Sequence, residues 1–286
     1  MFLRTKRQRL ATELRSLRDQ AGVSGRELAQ RIGISQSKVS RIESGAAIPT
    51  ASEVAAWVGA LNVSEETREL LAALSEAAFT EVHTWQSALR GRAHLQDDIQ
   101  ELESLARTIR TFQPSVVPGL LQTAAYAQQV LAMFHRSHGG GDTSLSLMGR
   151  MDRQLVLFEE DRTFEFLVTE AALRWRPGPP RLLMAQLDRI FSLSTLENVS
   201  IGVIPLAVEA VANSTHAFVV FEVPDDEDGS ETVVTVETVH ANLTVQDADS
   251  VALYLTRWSL LRQMAIFEDD ARAFLAELSA EMKAGP

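Results

Sequence analysis

The sequence predicts a mainly α N-terminal domain of five helices, followed by an α+β C-terminal domain with an antiparallel hairpin. Two short helical patterns meet at a glycine within residues 22–45, alternating apolar stretches occur after residue 163, and charge divides between the two parts. The first fifty residues hold ten Lys and Arg against four Asp and Glu, a net charge of +6, whereas the whole chain carries −11. The other 236 residues therefore carry −17, so a basic head precedes an acidic body.

Two helices of the N-terminal domain have clear start and stop signals. Ser24 is a good N-cap for helix 2, and Gly33 ends that helix because glycine accepts the left-handed conformation of a tight turn. Ser35 and Gly45 bound helix 3 in the same way. The spacing of apolar residues predicts the remaining helices at about 8–20, after Pro49 and after Ser64.

Helix 3 presents polar and basic side chains of the kind that hydrogen-bond base edges and phosphates. They are Gln36, Ser37, Lys38, Ser40, Arg41 and Ser44. A helix, a glycine turn and a polar second helix form the helix-turn-helix arrangement, in which the second helix lies in the major groove of DNA. An ordinary helical hairpin with a solvated face is the alternative, and the basic charge of the head favours DNA binding.

Residues 8–75 resemble the Xre/Cro-repressor family of five-helix DNA-binding domains. The resemblance rests on Leu17-Arg18, Ala21-Gly22-Val23-Ser24, Glu27-Leu28-Ala29, Gly33-Ile34-Ser35-Gln36-Ser37, Val39-Ser40-Arg41-Ile42-Glu43-Ser44-Gly45 and Pro49. It implies that helix 3 reaches base edges and adjacent phosphates. The family often has Gln directly after the helix 2 cap, where this chain has Gly25, and we expect Arg26 to take over part of that phosphate contact. The predicted DNA-binding residues are Ser24, Arg26, Ser35, Gln36, Ser37, Lys38, Arg41 and Ser44.

The sequence also predicts an ion pair between Arg18 and Glu43. In similar domains such a pair is an internal ion pair that ties helix 1 to the end of helix 3. Two unrelated surface charges are the alternative. We favour the structural ion pair over a contact with DNA.

The C-terminal domain is expected to span residues 95–286, joined to residues 1–78 by a connecting helix or linker at 79–94. Helices are expected at about 95–109, 118–134, 145–160, 179–196, 247–267 and 269–283, and extended segments at 111–117, 164–169, 199–205, 217–223 and 232–239. The last two extended segments flank a turn at 224–231 and are predicted to form the hairpin. A loop is expected at 135–142.

This domain resembles the C-terminal domain of a large actinobacterial regulator family. The matching segments are Phe112–Ala127, Arg150–Leu155, Thr169–Arg174 and Val236-Glu237-Thr238. Members of that family join an Xre-type helix-turn-helix to a domain of unassigned activity. The family is called antitoxin-like because its members are often encoded beside a small partner protein.

The sequence offers no catalytic constellation, and no cofactor, metal site or enzymatic activity is predicted. His135 and His138 lack further ligands nearby, and the acidic run 225–229 lacks the spacing of a calcium loop. The chain has no cysteine, its basic first ten residues lack the apolar segment expected of a signal peptide, and no apolar run approaches the ~20 residues of a membrane span. We therefore expect a cytoplasmic protein without a membrane contact.

Together these features predict a sequence-specific transcription regulator that binds double-stranded DNA at an inverted-repeat operator as a homodimer. The C-terminal domain is expected to dimerise and to bind a small partner protein encoded by a neighbouring gene. A pocket for a small-molecule inducer is the alternative, and an enzyme is the third possibility. Candidate anchors for the dimer or the partner are Trp175, Trp258, Phe267 and Phe274.

Overall fold

A computed structural model describes residues 6–45, 47–61, 63–84, 102–138, 143–224 and 230–284. The chain divides into two compact units, residues 1–82 with 244–248 and residues 83–243 with 249–286. Most of the connection predicted at 79–94 lies outside the described residues, as does the acidic run 225–229.

The N-terminal unit contains the five predicted helices. They are α1 (Lys6–Gln20), α2 (Gly25–Ile32), α3 (Gln36–Ser44), α4 (Ala51–Leu61) and α5 (Glu65–Phe79), followed by strand β1 (Thr80–Thr84). Gly33 and Gly45 end α2 and α3 with φ of 75° and 77°, as their positions predict. The core gathers the apolar face of every helix, including Leu14, Leu28, Ile42, Trp57 and Leu71.

The C-terminal unit is a mixed sheet with helices, in agreement with the predicted α+β class. Its strands are β2 (Thr108–Gln113), β3 (Thr163–Thr169), β4 (Val199–Ile204), β5 (Phe218–Pro224), β6 (Ser230–Glu237) and β7 (Ala241–Val245). Its helices are α6 (Ala124–His138), α7 (Ser144–Arg153), α8 (Glu170–Arg174), α9 (Pro180–Leu193), α10 (Ala248–Gln263) and α11 (Glu268–Ala284). Two 3-10 helices lie at Gly119–Leu121 and Gln154–Phe158.

The strand order in this sheet is β7-β6-β5-β2-β3-β4. Strands β5 and β6 pair antiparallel from Val219–Thr235 to Pro224–Ser230, which confirms the predicted hairpin. Strands β2, β3 and β4 are mutually parallel, while β2 pairs antiparallel with β5. Arg110 on β2 bridges both neighbouring strands, because its guanidinium donates hydrogen bonds to Glu165 on β3 and to Glu222 on β5, at 2.9 and 2.5 Å.

Some element boundaries differ from the prediction. The helix expected through residue 109 ends at residue 105, because Thr108 and Ile109 already pair with β3. The helix expected at 118–134 is interrupted after Leu121, and the Thr123 hydroxyl then accepts the Tyr126 N–H and starts α6. Helix α6 continues to His138, so the first four residues of the predicted loop 135–142 are helical, and the other four lie outside the described residues.

Candidate functional site

The N-terminal ends of α2 and α3 are built by serine caps. Ser24 Oγ accepts the Glu27 N–H and Ser35 Oγ accepts the Lys38 N–H, each at 3.2 Å. Ser37 Oγ lies 3.0 Å from Ser35 Oγ. Both caps are exposed, so the helix ends beside them present backbone N–H groups that suit a phosphate.

Helix α3 turns an apolar face inward and a polar face outward. Val39 and Ile42 are buried in the N-terminal core, which fixes the rotation of the helix. Gln36 and Ser37 are consequently exposed on its first turn, and Arg41 is half-buried one turn later.

Two further predicted DNA-binding residues are exposed on α2 and α3. Arg26 is exposed on the first turn of α2. Ser44 is exposed at the end of α3, and its hydroxyl donates to the Arg41 carbonyl at 3.0 Å.

Lys38 has a partner within the protein that the sequence analysis missed. Its Nζ lies 2.7 Å from Glu53 Oε1, and Glu53 Oε2 also accepts the Thr50 N–H at 2.8 Å. Partial burial raises the pKa of Glu53, but the bonds from Lys38 and Thr50 outweigh it and hold that pKa below its usual value. The Thr50-x-x-Glu53 spacing is a capping box that the sequence displays, but this spacing gives no sign of the contact between Glu53 and Lys38.

Arg18 and Glu43 meet as the sequence analysis proposes. Arg18 Nε and Nη2 donate to the two Glu43 carboxylate oxygens at 2.5 and 2.8 Å, and Nη1 donates to the Val23 carbonyl at 2.9 Å. The two side chains are only 12% and 11% exposed. The hydrogen bond to Glu43 raises the pKa of Arg18 despite its burial. The pair joins α1 to the last turn of α3.

A second cluster of polar side chains lies in the C-terminal unit, where the segments that carry the second resemblance come together. Gln154 Nε2 donates to the carbonyls of Gly119 and Gln122 at 2.9 and 2.8 Å. Gln122 Nε2 donates to the Val117 carbonyl at 2.7 Å. These bonds hold the 3-10 turn at Gly119–Leu121 in place.

Gln186 on α9 forms hydrogen bonds with the backbone at the end of the same turn. Its Nε2 donates to the Leu121 carbonyl, and its Oε1 accepts the Thr123 N–H, both at 2.7 Å. Burial raises the pKa of the adjacent Tyr126 to about 12. The amide side chains therefore satisfy the backbone of this turn inside the core.

Arg150 on α7 faces this turn. Its Nη1 donates to Gln122 Oε1 at 3.0 Å, and in the part of the chain that the structure describes Arg150 forms no ion pair. The pKa of Arg150 is lowered, because the effect of burial outweighs the attraction of the Glu237 carboxylate, which acts in the opposite direction. Arg150 is thus a largely desolvated cation whose hydrogen-bonding partner is a neutral amide.

The aromatic residues predicted as interface anchors have mostly internal positions. Trp258 is buried and lies edge-on to Phe218, with 6.5 Å between the ring centroids. Phe274 packs against the core of the C-terminal unit. The Arg262 guanidinium covers the Phe267 ring at 4.4 Å. Trp175 is exposed and contacts Tyr126 edge-on at 6.2 Å.

Metal ligands and membrane-spanning helices can be sought only among the described residues. His138 contacts two carbonyls, those of Phe134 and Val239, and no group of three metal-ligating side chains occurs within the described ranges. None of the helices described is long and apolar enough to span a membrane.

Each of the two units contains a segment that matches a known family model. Residues 9–71 match a model described as a helix-turn-helix domain. Residues 96–277, more than half of the chain, match a model described as a domain of unknown function (DUF5753). The chain belongs to the DUF5753 family. Comparison with curated proteins gave no match. Because a helix-turn-helix domain is a DNA-binding unit, this DUF5753 protein is a DNA-binding regulator.

Proposed function

We propose that this protein is a sequence-specific transcription regulator of the Xre type that binds an inverted-repeat operator as a homodimer. The outward polar face of α3 carries the proposal, because burial of Val39 and Ile42 leaves Gln36, Ser37 and Arg41 facing away from the core. Such side chains read base edges in the major groove. The Xre type and an actinobacterial lineage rest on the two resemblances given above.

The homodimer follows from the demands of specificity. One helix-turn-helix reads only a few base pairs, whereas a dimer presents two recognition helices about 34 Å apart. The −17 charge of the residues after position 50 repels DNA, and the +6 charge of the first fifty residues is attracted to it. We therefore assign DNA contact to the head and self-association to residues 76–286.

Arg41 and Gln36 provide the test. After an operator is selected in vitro with the full chain, Arg41→Ala and Gln36→Ala should each reduce the preference for it over scrambled DNA. A good side chain–base pair contributes about 1–3 kcal/mol, or roughly 5- to 150-fold. Weak, salt-sensitive binding should persist.

The exposed Arg181 on α9 supplies the matched control. Arg181→Ala removes the same cationic side chain from the C-terminal unit and should leave operator preference unchanged. An unaltered preference in both α3 variants, measured at fixed salt, contradicts the proposal.

For the C-terminal domain we propose a binding role without enzymatic activity, with a small protein from a neighbouring gene as the antitoxin-like partner. Co-expression of the two genes and purification through a tag on either product tests this. The alternative is a small anionic effector, and the position of Arg150 favours it, because a largely desolvated guanidinium bonded to a neutral amide suits a carboxylate or phosphate. A rise in melting temperature with such anions that Arg150→Met abolishes would support the effector.

A further inference from the structure

The ion pair between Lys38 and Glu53 involves a cation on the helix that is assigned to DNA. Lys38 Nζ lies 2.7 Å from Glu53 Oε1, and the two side chains are 33% and 14% exposed. Gln36 and Ser37, which precede Lys38 on α3, are exposed. Lys38 differs from these neighbours, because its charge is already neutralised within the protein.

Glu53 is held in place by the start of α4. Its Oε2 accepts the Thr50 N–H at 2.8 Å, and the Thr50 hydroxyl accepts the Glu53 N–H at 3.2 Å. This reciprocal capping box fixes the carboxylate over the first turn of the helix, where the positive end of the helix dipole also attracts it. The position of Glu53 is therefore set by α4 and does not depend on Lys38.

The costs of separating the pair exceed what a phosphate contact returns. One additional phosphate contact raises affinity roughly eightfold at about 0.1 M salt through counterion release. If Lys38 turned to a phosphate, it would leave behind a carboxylate that is 14% exposed, and breaking a fully buried pair costs on the order of a hundredfold or more. The abandoned carboxylate would also repel the nearby phosphates. Lys38 consequently stays with Glu53 when DNA binds.

We propose that Glu53 is a positioning residue that keeps Lys38 off the DNA phosphates and thereby limits sequence-independent affinity, an inference that rests on the DNA binding of the proposed function. The +6 charge of the first fifty residues counts Lys38 but not Glu53, which follows them, so the pair offers DNA no net charge. Phosphate contacts carry no sequence information. Glu53 therefore controls affinity and leaves the preference among sequences to residues such as Gln36 and Arg41.

Salt-dependent binding of the full chain tests the role of Glu53. Fluorescence anisotropy is measured with the selected operator and with a scrambled duplex over a series of salt concentrations. Glu53→Gln preserves the capping box, because Gln also accepts the Thr50 N–H there, and it releases Lys38 to the phosphates. We expect both duplexes to bind about 5- to 10-fold more tightly at about 0.1 M salt, with the slope of log K against log salt steeper by about 0.9.

Three further variants separate the release of Lys38 from the loss of a negative charge. Lys38→Met combined with Glu53→Gln removes both members of the pair and should restore the affinity and slope of the unchanged protein. Lys38→Met alone should weaken binding to both duplexes, because it leaves the Glu53 carboxylate uncompensated. Glu65→Gln is the matched control, since Glu65 forms an exposed pair with Arg68 on α5 at 3.2 Å, and it should leave the slope unchanged.

The outcomes distinguish this inference from the DNA-binding proposal. An unchanged slope in Glu53→Gln, a gain that persists in the double variant, or an equal gain in Glu65→Gln would each show that Glu53 does not withhold Lys38 from DNA. Glu53→Gln should keep its operator preference within about twofold, and a larger change would also overturn the inference. Arg41→Ala should lose that preference, which reports on the DNA-binding proposal alone. An unchanged protein that binds neither duplex would overturn both.

Discussion

The Arg18–Glu43 ion pair allows a sharp prediction about the stability of the DNA-binding unit. Glu43→Gln keeps the shape of the side chain but removes its charge, and it leaves the Arg18 guanidinium, whose side chain is 12% exposed, without its bidentate partner. Losing one partner of a buried pair is costly because the remaining charge stays desolvated.

The magnitude follows from the burial of the pair. Breaking a fully buried pair costs about 3–5 kcal/mol. Residual exposure and the contacts that Arg18 retains with Val23 and Asp19 reduce this value, so we expect about 2–3 kcal/mol. An exposed pair contributes about 0.2–1 kcal/mol. Glu27 and Arg31 form such a pair, with side chains 49% and 43% exposed, and Glu27→Gln is therefore the matched control.

Hydrogen exchange of the full chain, followed by mass spectrometry, measures the effect locally. Amides of α1 and α3 should exchange roughly 30- to 150-fold faster in Glu43→Gln, because each ~1.4 kcal/mol is a factor of ten. Amides of the C-terminal unit should not change. Equal exchange rates in Glu43→Gln and Glu27→Gln would refute the reasoning, since they would show that burial adds nothing to this pair.

Four further predictions concern stability and titration. The pKa of Glu53 is lower in the folded state than its ordinary value of 4.5. The ionised Glu53 carboxylate therefore stabilises the fold above pH 4.5, and this stabilisation is lost as the pH falls through the folded pKa. Urea unfolding between pH 6 and 3 should consequently be less acid-sensitive in Glu53→Gln than in the unchanged protein. Burial raises the pKa of both tyrosines, that of Tyr126 to about 12, so absorbance at alkaline pH should show less than half of the total tyrosine ionised at pH 10. Complete ionisation of both tyrosines at pH 10 would contradict these directions. Gly202→Ala should destabilise the C-terminal unit by about 1–3 kcal/mol, because the new Cβ would lie 2.5 Å from a ring carbon of a neighbouring phenylalanine. Gly59→Ala on α4 meets nothing within 4 Å and should stabilise its unit by about 0.5–1 kcal/mol, with calorimetry as the measurement for both glycine variants.

The N-terminal unit was predictable because its signals are local. Ser24, Gly33, Ser35 and Gly45 act on neighbouring residues, so the sequence marks where α2 and α3 begin and end. The Lys38–Glu53 pair was missed because it joins two helices. Such contacts depend on helix packing, which residue spacing within one helix does not reveal.

The C-terminal unit was predictable in class but less so in topology. Strands β5 and β6 follow each other closely along the chain, and their antiparallel pairing agrees with the predicted hairpin. The parallel strands β2, β3 and β4 are separated by whole helices, and nothing in the sequence states which of them are neighbours. Trp258 shows the same limit, because a large aromatic residue suits an interface or a core equally well, and the structure buries it.

Reading of base sequence by the exposed face of α3 can be tested with a thermodynamic cycle. Each guanine of a selected operator half-site is replaced in turn by 7-deazaguanine, which lacks the major-groove N7 acceptor, and binding of the full chain is compared with that of Arg41→Ala. Because Arg pairs most often with guanine O6 and N7, we predict one position where the base change costs the unchanged protein about tenfold in affinity, roughly 1.4 kcal/mol, and costs Arg41→Ala nothing further. Strictly additive losses at every guanine would contradict the account.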